Sequence, residues 1–194
     1  MKRYAVLLAI FCLAFCQLAF GQGLKFGVGG ILAKPADSLV SDVASSIGFG
    51  GTSQALILMG NMAIGAQAGY ITFGGETIEE SGTVNGAPAT VKYEYTIAAI
   101  PILAQGRIYL GVPSGPRFYL GALAGFHLKT FKWDQTTTVG GQTIKRSFDK
   151  NSTEFSFGPA AGIEIDALEL SAFYMLVKDL NYFGARIGFN FGVL

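Results

Sequence analysis

Cysteine is confined to two positions, Cys12 and Cys16, both within the first 21 of the 194 residues. From residue 22 onward neither a disulfide framework nor a thiolate metal site can form, so the fold must hold without covalent staples. Charge is scarce as well. Asp, Glu, Lys and Arg make up 14% of the chain, against about 25% in ordinary soluble domains, while hydrophobic residues reach 51%. The first 21 residues hold two of the 14 basic side chains and none of the 13 acidic ones, which leaves 12 basic against 13 acidic, a net charge of −1, for the remaining 173. That balance offers no basic surface to a phosphate backbone, and nucleic acid is excluded as a partner. Long apolar runs are missing too: after the N-terminal segment no stretch approaches the roughly 20 residues that a helix needs to cross a bilayer.

What is present begins with Lys2 and Arg3, continues through "YAVLLAIFCLAF" and ends with the small-residue pair of Ala19-Phe20-Gly21. This layout predicts a secretory signal peptide over 1–21, cleaved after Gly21, and a single barrel domain over 22–194. Cys12 and Cys16 each follow a phenylalanine, a poor fit to the small residue expected before a lipoprotein cysteine, so they are read as part of the signal. A chain this apolar, exported and without spanning helices has one membrane solution left. That solution is a closed β-barrel, because in lipid every backbone group must be paired internally.

The segment from 22 to 194 breaks into eight β-like runs, at 23–33, 45–58, 62–73, 91–110, 116–131, 152–165, 168–178 and 183–194, separated by Gly, Pro, Asn, Asp and Ser. Connections alternate in length. Long polar segments, among them 74–90 and 132–151, follow the first, third and fifth runs, whereas "MGN", "GVPSGP" and "DAL" are short. Sorting of loops to one end and turns to the other predicts an all-β, eight-stranded antiparallel up-and-down transmembrane β-barrel with both termini at the turn end.

The two faces of each run follow different rules. In "RFYLGALAGFHL" the apolar set holds Phe118, Leu120, Ala122, Ala124, Phe126 and Leu128, and the other holds Tyr119, Gly121, Leu123, Gly125 and His127. Phe155, Phe157 and Ile163 oppose Ser156, Gly158, Gly162 and Glu164, and in the last run Ile187, Phe189 and Phe191 oppose Arg186, Gly188 and Asn190. Leu120, Ala122, Phe126, Phe155, Phe157, Ile163, Ile187, Phe189 and Phe191 are therefore expected to face lipid. The reverse arrangement would put Arg, Glu and Gln into hydrocarbon at a cost of about 2–4 kcal/mol for a charge at mid-depth. An eight-stranded interior is only wide enough for side chains to fill, so no open pore is expected. Tyr70, Phe73, Tyr93, Tyr95, Phe131 and Trp133 toward the loops, and Tyr109, Phe118 and Tyr119 toward the turns, suit interfacial girdles.

"RFYLGALAGF", "IAAIPILAQGRIYL", "FSFGPAAGIEI", "LELSAFYML" and the closing "ARIGFNFGVL" resemble the small outer-membrane β-barrel proteins, the OmpA/OmpX-like superfamily, across essentially all of 22–194. The resemblance implies an outer-membrane location and insertion by the outer-membrane assembly machinery, which reads the last strand. Here that strand ends in Leu194 in place of the usual aromatic, while Phe189 and Phe191 keep the alternation.

For chemistry, Lys25, Arg107, Glu164 and Glu169 are inward by phase near the turn end, two acids and two bases that in a narrow lumen should pair as a structural plug; the alternative is a proton or ion path. His127, the sole histidine, faces inward near Lys129, with Ser156 on the neighbouring run as a partner by position alone, which is the minimum for a lipid-modifying enzyme. "GFGG" at 48–51 lacks the Lys and helix of a phosphate loop. Glu76, Glu79 and Glu80 make one long loop acidic, and Lys145, Arg146 and Lys150 make another basic. The expected protein is a monomeric outer-membrane barrel of structural or surface-interaction role, without catalysis, cofactor or metal. Its expected partners are outer-membrane lipids and an extracellular ligand at loops 74–90 and 132–151. A lipid-modifying enzyme, a narrow channel and a soluble lipocalin-like barrel are the competing readings.

Overall fold

A computed structural model describes residues 23–36, 47–75, 77–84, 86–111 and 115–193. The expected signal peptide, most of the first long loop and Glu76 lie outside the described residues. Among the described residues there are nine strands: β1 (Leu24–Pro35), β2 (Gly48–Met59), β3 (Met62–Phe73), β4 (Thr77–Val84), β5 (Ala87–Leu110), β6 (Arg117–Val139), β7 (Gln142–Ile165), β8 (Leu168–Val177) and β9 (Tyr182–Val193). Every pairing is antiparallel. Neighbours follow the order β3-β2-β1-β9-β8-β7-β6-β5, and β3 pairs back onto β5 from Met62↔Ile108 to Phe73↔Ile97, which closes an eight-stranded ring. β4 stands outside the ring, bonded to the outer part of β5 from Thr77↔Glu94 to Val84↔Ala87.

The turn end is built as expected, from two-residue connections at Gly60-Asn61 and Asp166-Ala167, with Gly60 (φ 63°) and Asp166 (φ 53°) in the left-handed region that such hairpins require. The other end departs from expectation. Residues 77–84 and 87–90, and nearly all of 132–151, are not irregular loops but strands that extend the wall. β5 and β6 stay paired out to Ala89↔Val139, and β6 and β7 to Val139↔Gln142, where Gly140 (φ 56°) and Gly141 (φ 85°) turn the chain. Gly86 (φ 80°) does the same between β4 and β5. The result is a four-stranded blade, β4-β5-β6-β7, standing beyond the ring. Its threonines, lysines and aromatics alternate as strand residues do, and Gly86 and the Gly140-Gly141 pair, all at positive φ, supply the reversals.

Side chains are sorted by the period-2 pleat. Leu120, Ala122, Phe126, Phe155, Phe157, Ile187, Phe189 and Phe191 point outward and are exposed, with Leu120 at 59% and Phe189 at 60%; Ile163 points the same way and is half-buried. Ile31, Ile71, Phe73, Leu103, Leu123, Phe173, Met175 and Tyr182 fill the interior toward the blade end. The girdle assignment needs correction. Among the nine aromatics named for it, only Tyr70 and Phe118 point outward and exposed. Phe73, Tyr109 and Tyr119 are buried inside the ring, and Tyr93, Tyr95, Phe131 and Trp133 share the parity of inward Ile97 and continue that face up the blade. There they stack across strands, Tyr95 on Trp133 (centroids 6.4 Å, interplanar angle 6°) and Trp133 on Phe148 (5.1 Å, 26°). Position near a strand end was a weaker indicator than parity.

The inward glycines are sites of close approach. A Cβ on Gly188 would lie 2.6 Å from Arg186 Nη2, and one on Gly184 would enter the ring of Phe173. Substituting Gly184 by valine is therefore expected to destabilise the folded barrel by about 1–3 kcal/mol, whereas Gly82→Ala on the blade, where nothing lies within 4 Å, should leave it unchanged. Urea titration of the protein in detergent micelles, read by circular dichroism, checks both.

Candidate functional site

The lumen at the turn end is occupied by charge. Glu164 is the penultimate residue of β7 and Glu169 the second of β8, and they are register partners beside the tight turn. Two carboxylates directly opposite repel one another, and both are buried, Glu169 at 0% exposure. They persist because every neighbouring strand sends a donor to them. Arg107 on β5 grips Glu169 with both terminal nitrogens, Nη1 to Oε2 and Nη2 to Oε1, each at 3.1 Å, the fork geometry that gives guanidinium–carboxylate pairs their strength. Its Nη1 also donates to Glu164 Oε1 at 3.3 Å. Lys25 on β1 pairs with Glu164 Oε2 at 2.7 Å. The structure thus brings Lys25, Arg107, Glu164 and Glu169 into one network.

Several members were not singled out from the sequence. Arg186 on β9 forms an ion pair with Glu169 at 2.8 Å, Gln54 on β2 donates to Glu169 Oε2 at 2.7 Å, and Asn190 donates to the same oxygen at 2.9 Å. Tyr119 donates to Glu169 at 2.8 Å and Tyr109 to Glu164 at 2.9 Å. The same tyrosines carry cations on their faces, Arg107 over Tyr119 at 4.3 Å and Arg117 over Tyr109 at 4.0 Å. Arg186 had been read as inward, but which groups meet at one height is set by the stagger between strands. Arg186 is opposite Ser171 in register and reaches Glu169 diagonally. Seven of the eight ring strands contribute a side chain to this network, so it ties together strands distant in sequence.

Farther from the turn end, within the apolar filling, His127 Nδ1 lies 2.7 Å from Ser156 Oγ and Nε2 lies 2.9 Å from Tyr182 OH. The sequence-level pairing of His127 with Ser156 is thus a real contact. Its surroundings oppose nucleophilic chemistry. His127 and Ser156 are 0% exposed, and Tyr182 beyond them is packed by Phe73 and Phe173 at ring-centroid distances of 5.8 and 6.1 Å. A serine that attacks an ester must meet it, and this one is 0% exposed. Both ring nitrogens being partnered, the triad is accounted for as a satisfied polar island in the core.

Outside, a shallow apolar concavity of about 950 Å³ runs over Ala161, Ala172 and Ala185, with Leu32, Phe118, Leu120 and Ile187 around it. Those three alanines are lateral neighbours on β7, β8 and β9, so the wall is thinnest where the small residues align.

Removal of Arg107 by alanine would leave two buried carboxylates short of their main partner, and a loss of about 3–5 kcal/mol is expected. Lys25→Ala, at a partly exposed position by the turn end, should cost about 1 kcal/mol. Unfolding midpoints of the two variants in the same detergent test the ranking, and equal midpoints would contradict it.

No family model matches the chain, and no match is found among curated proteins. Among solved structures it is similar to Neisserial surface protein A (TM-score 0.43, 14% identity, covering 89% of this chain and 96% of that one). It is also similar to Ail, the attachment invasion locus protein of Yersinia pestis (0.45, 11%, 88% and 99%), and to the N-terminal β-barrel domain of Pseudomonas aeruginosa OprF (0.40, 10%, 86% and 97%). The chain itself is an all-β protein whose strand pairing closes an eight-stranded antiparallel barrel.

Proposed function

We propose that this chain is exported and resides in a cell outer membrane as an integral β-barrel with a sealed lumen, anchoring a blade that makes surface interactions. One observation carries the reading. The polarity of the ring is inverted relative to a soluble barrel, with Leu120, Phe157, Phe189 and Phe191 on the outside and Arg107, Glu164, Glu169 and Arg186 at its centre. Water outside would leave that apolar belt unsatisfied, whereas acyl chains satisfy it without cost, and the ring closure leaves no backbone edge in lipid. A soluble lipocalin-like barrel would carry the opposite polarity.

The surface role rests on the blade. Ile78, Ile144 and Phe148 are exposed at 42%, 62% and 51% on strands otherwise rich in Thr, Lys and Glu, and exposed apolar groups with polar rims mark contact surfaces. Its β4 strand carries Glu79 and Glu80, its β7 strand Lys145, Arg146 and Lys150. Outer-membrane lipids are the partners of the wall, and the assembly machinery is the partner during insertion. An external ligand is the partner of the segments 74–90 and 132–151. One copy closes its own ring, so a monomer suffices for the barrel.

Single cysteines at Ile144 and at Asn61, labelled on intact cells with an impermeant maleimide, are expected to differ: the first reacts, the second only after the envelope is opened. Equal labelling would remove the orientation. Purified protein in a planar bilayer is expected to pass no steady current, and sustained single-channel conductance would favour the narrow channel. Release of fatty acid from phospholipid by the purified protein, lost in Ser156→Ala, would favour the enzyme.

A further inference from the structure

The lumen network is one negative charge short. Lys25, Arg107 and Arg186 bring three cations into the ring against the two carboxylates of Glu164 and Glu169, and Arg117 adds a fourth at its rim, over Tyr109. Tyr109 and Tyr119 donate to the carboxylates and accept no part of the excess. The shortfall is local to Arg186. This side chain is 3% exposed, and its Nε donates to Thr52 Oγ1 at 2.9 Å. Nη1 stands 2.8 Å from Glu169 Oε1 as a charge pair, yet neither Nη1 nor Nη2 has an acceptor in hydrogen-bonding geometry among the described residues. Burying a guanidinium with unused donors is unfavourable.

Beside it is a small internal cavity of about 10 Å³, lined by Arg107 and Arg186 together with Gln67, Gln105, Ser171 and Phe173. That is about the volume of a single water, so the occupant is one water or a monatomic ion, and a chloride or bromide, both larger than water, seats there only with a small outward shift of the lining side chains. A water could serve the free donors but would leave the charge uncompensated. An anion does both.

We propose that the cavity between Arg107 and Arg186 is a binding site for one small monovalent anion of the halide class, held as a structural part of the plug. Because the ion brings the count to three against three, it stabilises the folded barrel without crossing it. The proposal rests on the reading of the lumen as sealed.

The test uses the protein spanning 22–194 in detergent. Crystals grown in sodium bromide should show an anomalous peak in the cavity. The melting temperature in bromide or chloride should exceed that in sodium gluconate of equal ionic strength by about 3 °C, and Arg186→Gln should abolish the difference. A map with no peak there, or with an ordered water only, overturns the proposal. A peak without any halide-dependent shift also overturns it, as binding at crystal concentration only. Should Arg186→Gln fail to fold, the map and the halide dependence of the unchanged protein decide. A negative result with a non-conducting bilayer leaves the sealed barrel standing, whereas current through the unchanged protein overturns that reading instead.

Discussion

Closure of β3 onto β5 is the constraint from which the rest of the molecule follows. An antiparallel sheet of eight strands has two open edges, and each edge presents unpaired N–H and C=O groups that neither lipid nor a dry interior can satisfy. The pairing from Met62↔Ile108 to Phe73↔Ile97 removes both at once. With the edges gone, the backbone is self-sufficient at membrane depth, and the side chains of each strand are divided between two environments that share no solvent. Outward positions are free to be Leu, Ile and Phe. Inward positions must fit a narrow space, which accounts for Gly184 beneath Phe173 and Gly188 beneath Arg186.

Once the ring is closed, the interior becomes a problem of filling and charge. The blade-end half is solved with apolar packing around Phe73, Phe173, Met175 and Tyr182, interrupted by the satisfied His127 island. The turn-end half is solved with ions. Two carboxylates forced together by a two-residue turn would be untenable alone, and the Arg107 fork with the tyrosine and amide donors makes them the centre of a network spanning the ring. Such a network adds little net stability over an apolar filling. What it supplies is register: Lys25, Arg107, Arg186 and Asn190 meet Glu164 and Glu169 only at one stagger of the strands, and a slip by one residue would turn each of them to the outer face.

Much of this was legible in residue order. Parity alone distinguished outward Leu120, Phe157 and Phe189 from inward Gly121, Gly158 and Gly188, because a closed narrow barrel imposes opposite demands on alternate positions. Eight strands and their tight turns were equally visible. The blade was not, although Asn85-Gly86 and Gly140-Gly141 are hairpin signals; long polar stretches with Thr, Lys and Glu read as loops when a strand has no buried face to betray it. The aromatic girdle failed for a related reason, since nearness to a strand end was weighed without the parity of Tyr93, Tyr95, Phe131 and Trp133. Four of the nine members of the plug were found from phase, while Arg186, Gln54, Asn190 and the two tyrosines depended on stagger, a property of pairs of strands that no single run encodes.

The central claim is that acyl chains, and not water or protein, lie against the outer wall. It is tested most directly by fluorescence quenching with lipids brominated along their acyl chains. In a Trp133→Phe background, one tryptophan would be placed at Phe157 and, in a separate variant, at Leu123. The account predicts strong quenching at 157 and almost none at 123; quenching at 123 with none at 157 would contradict it.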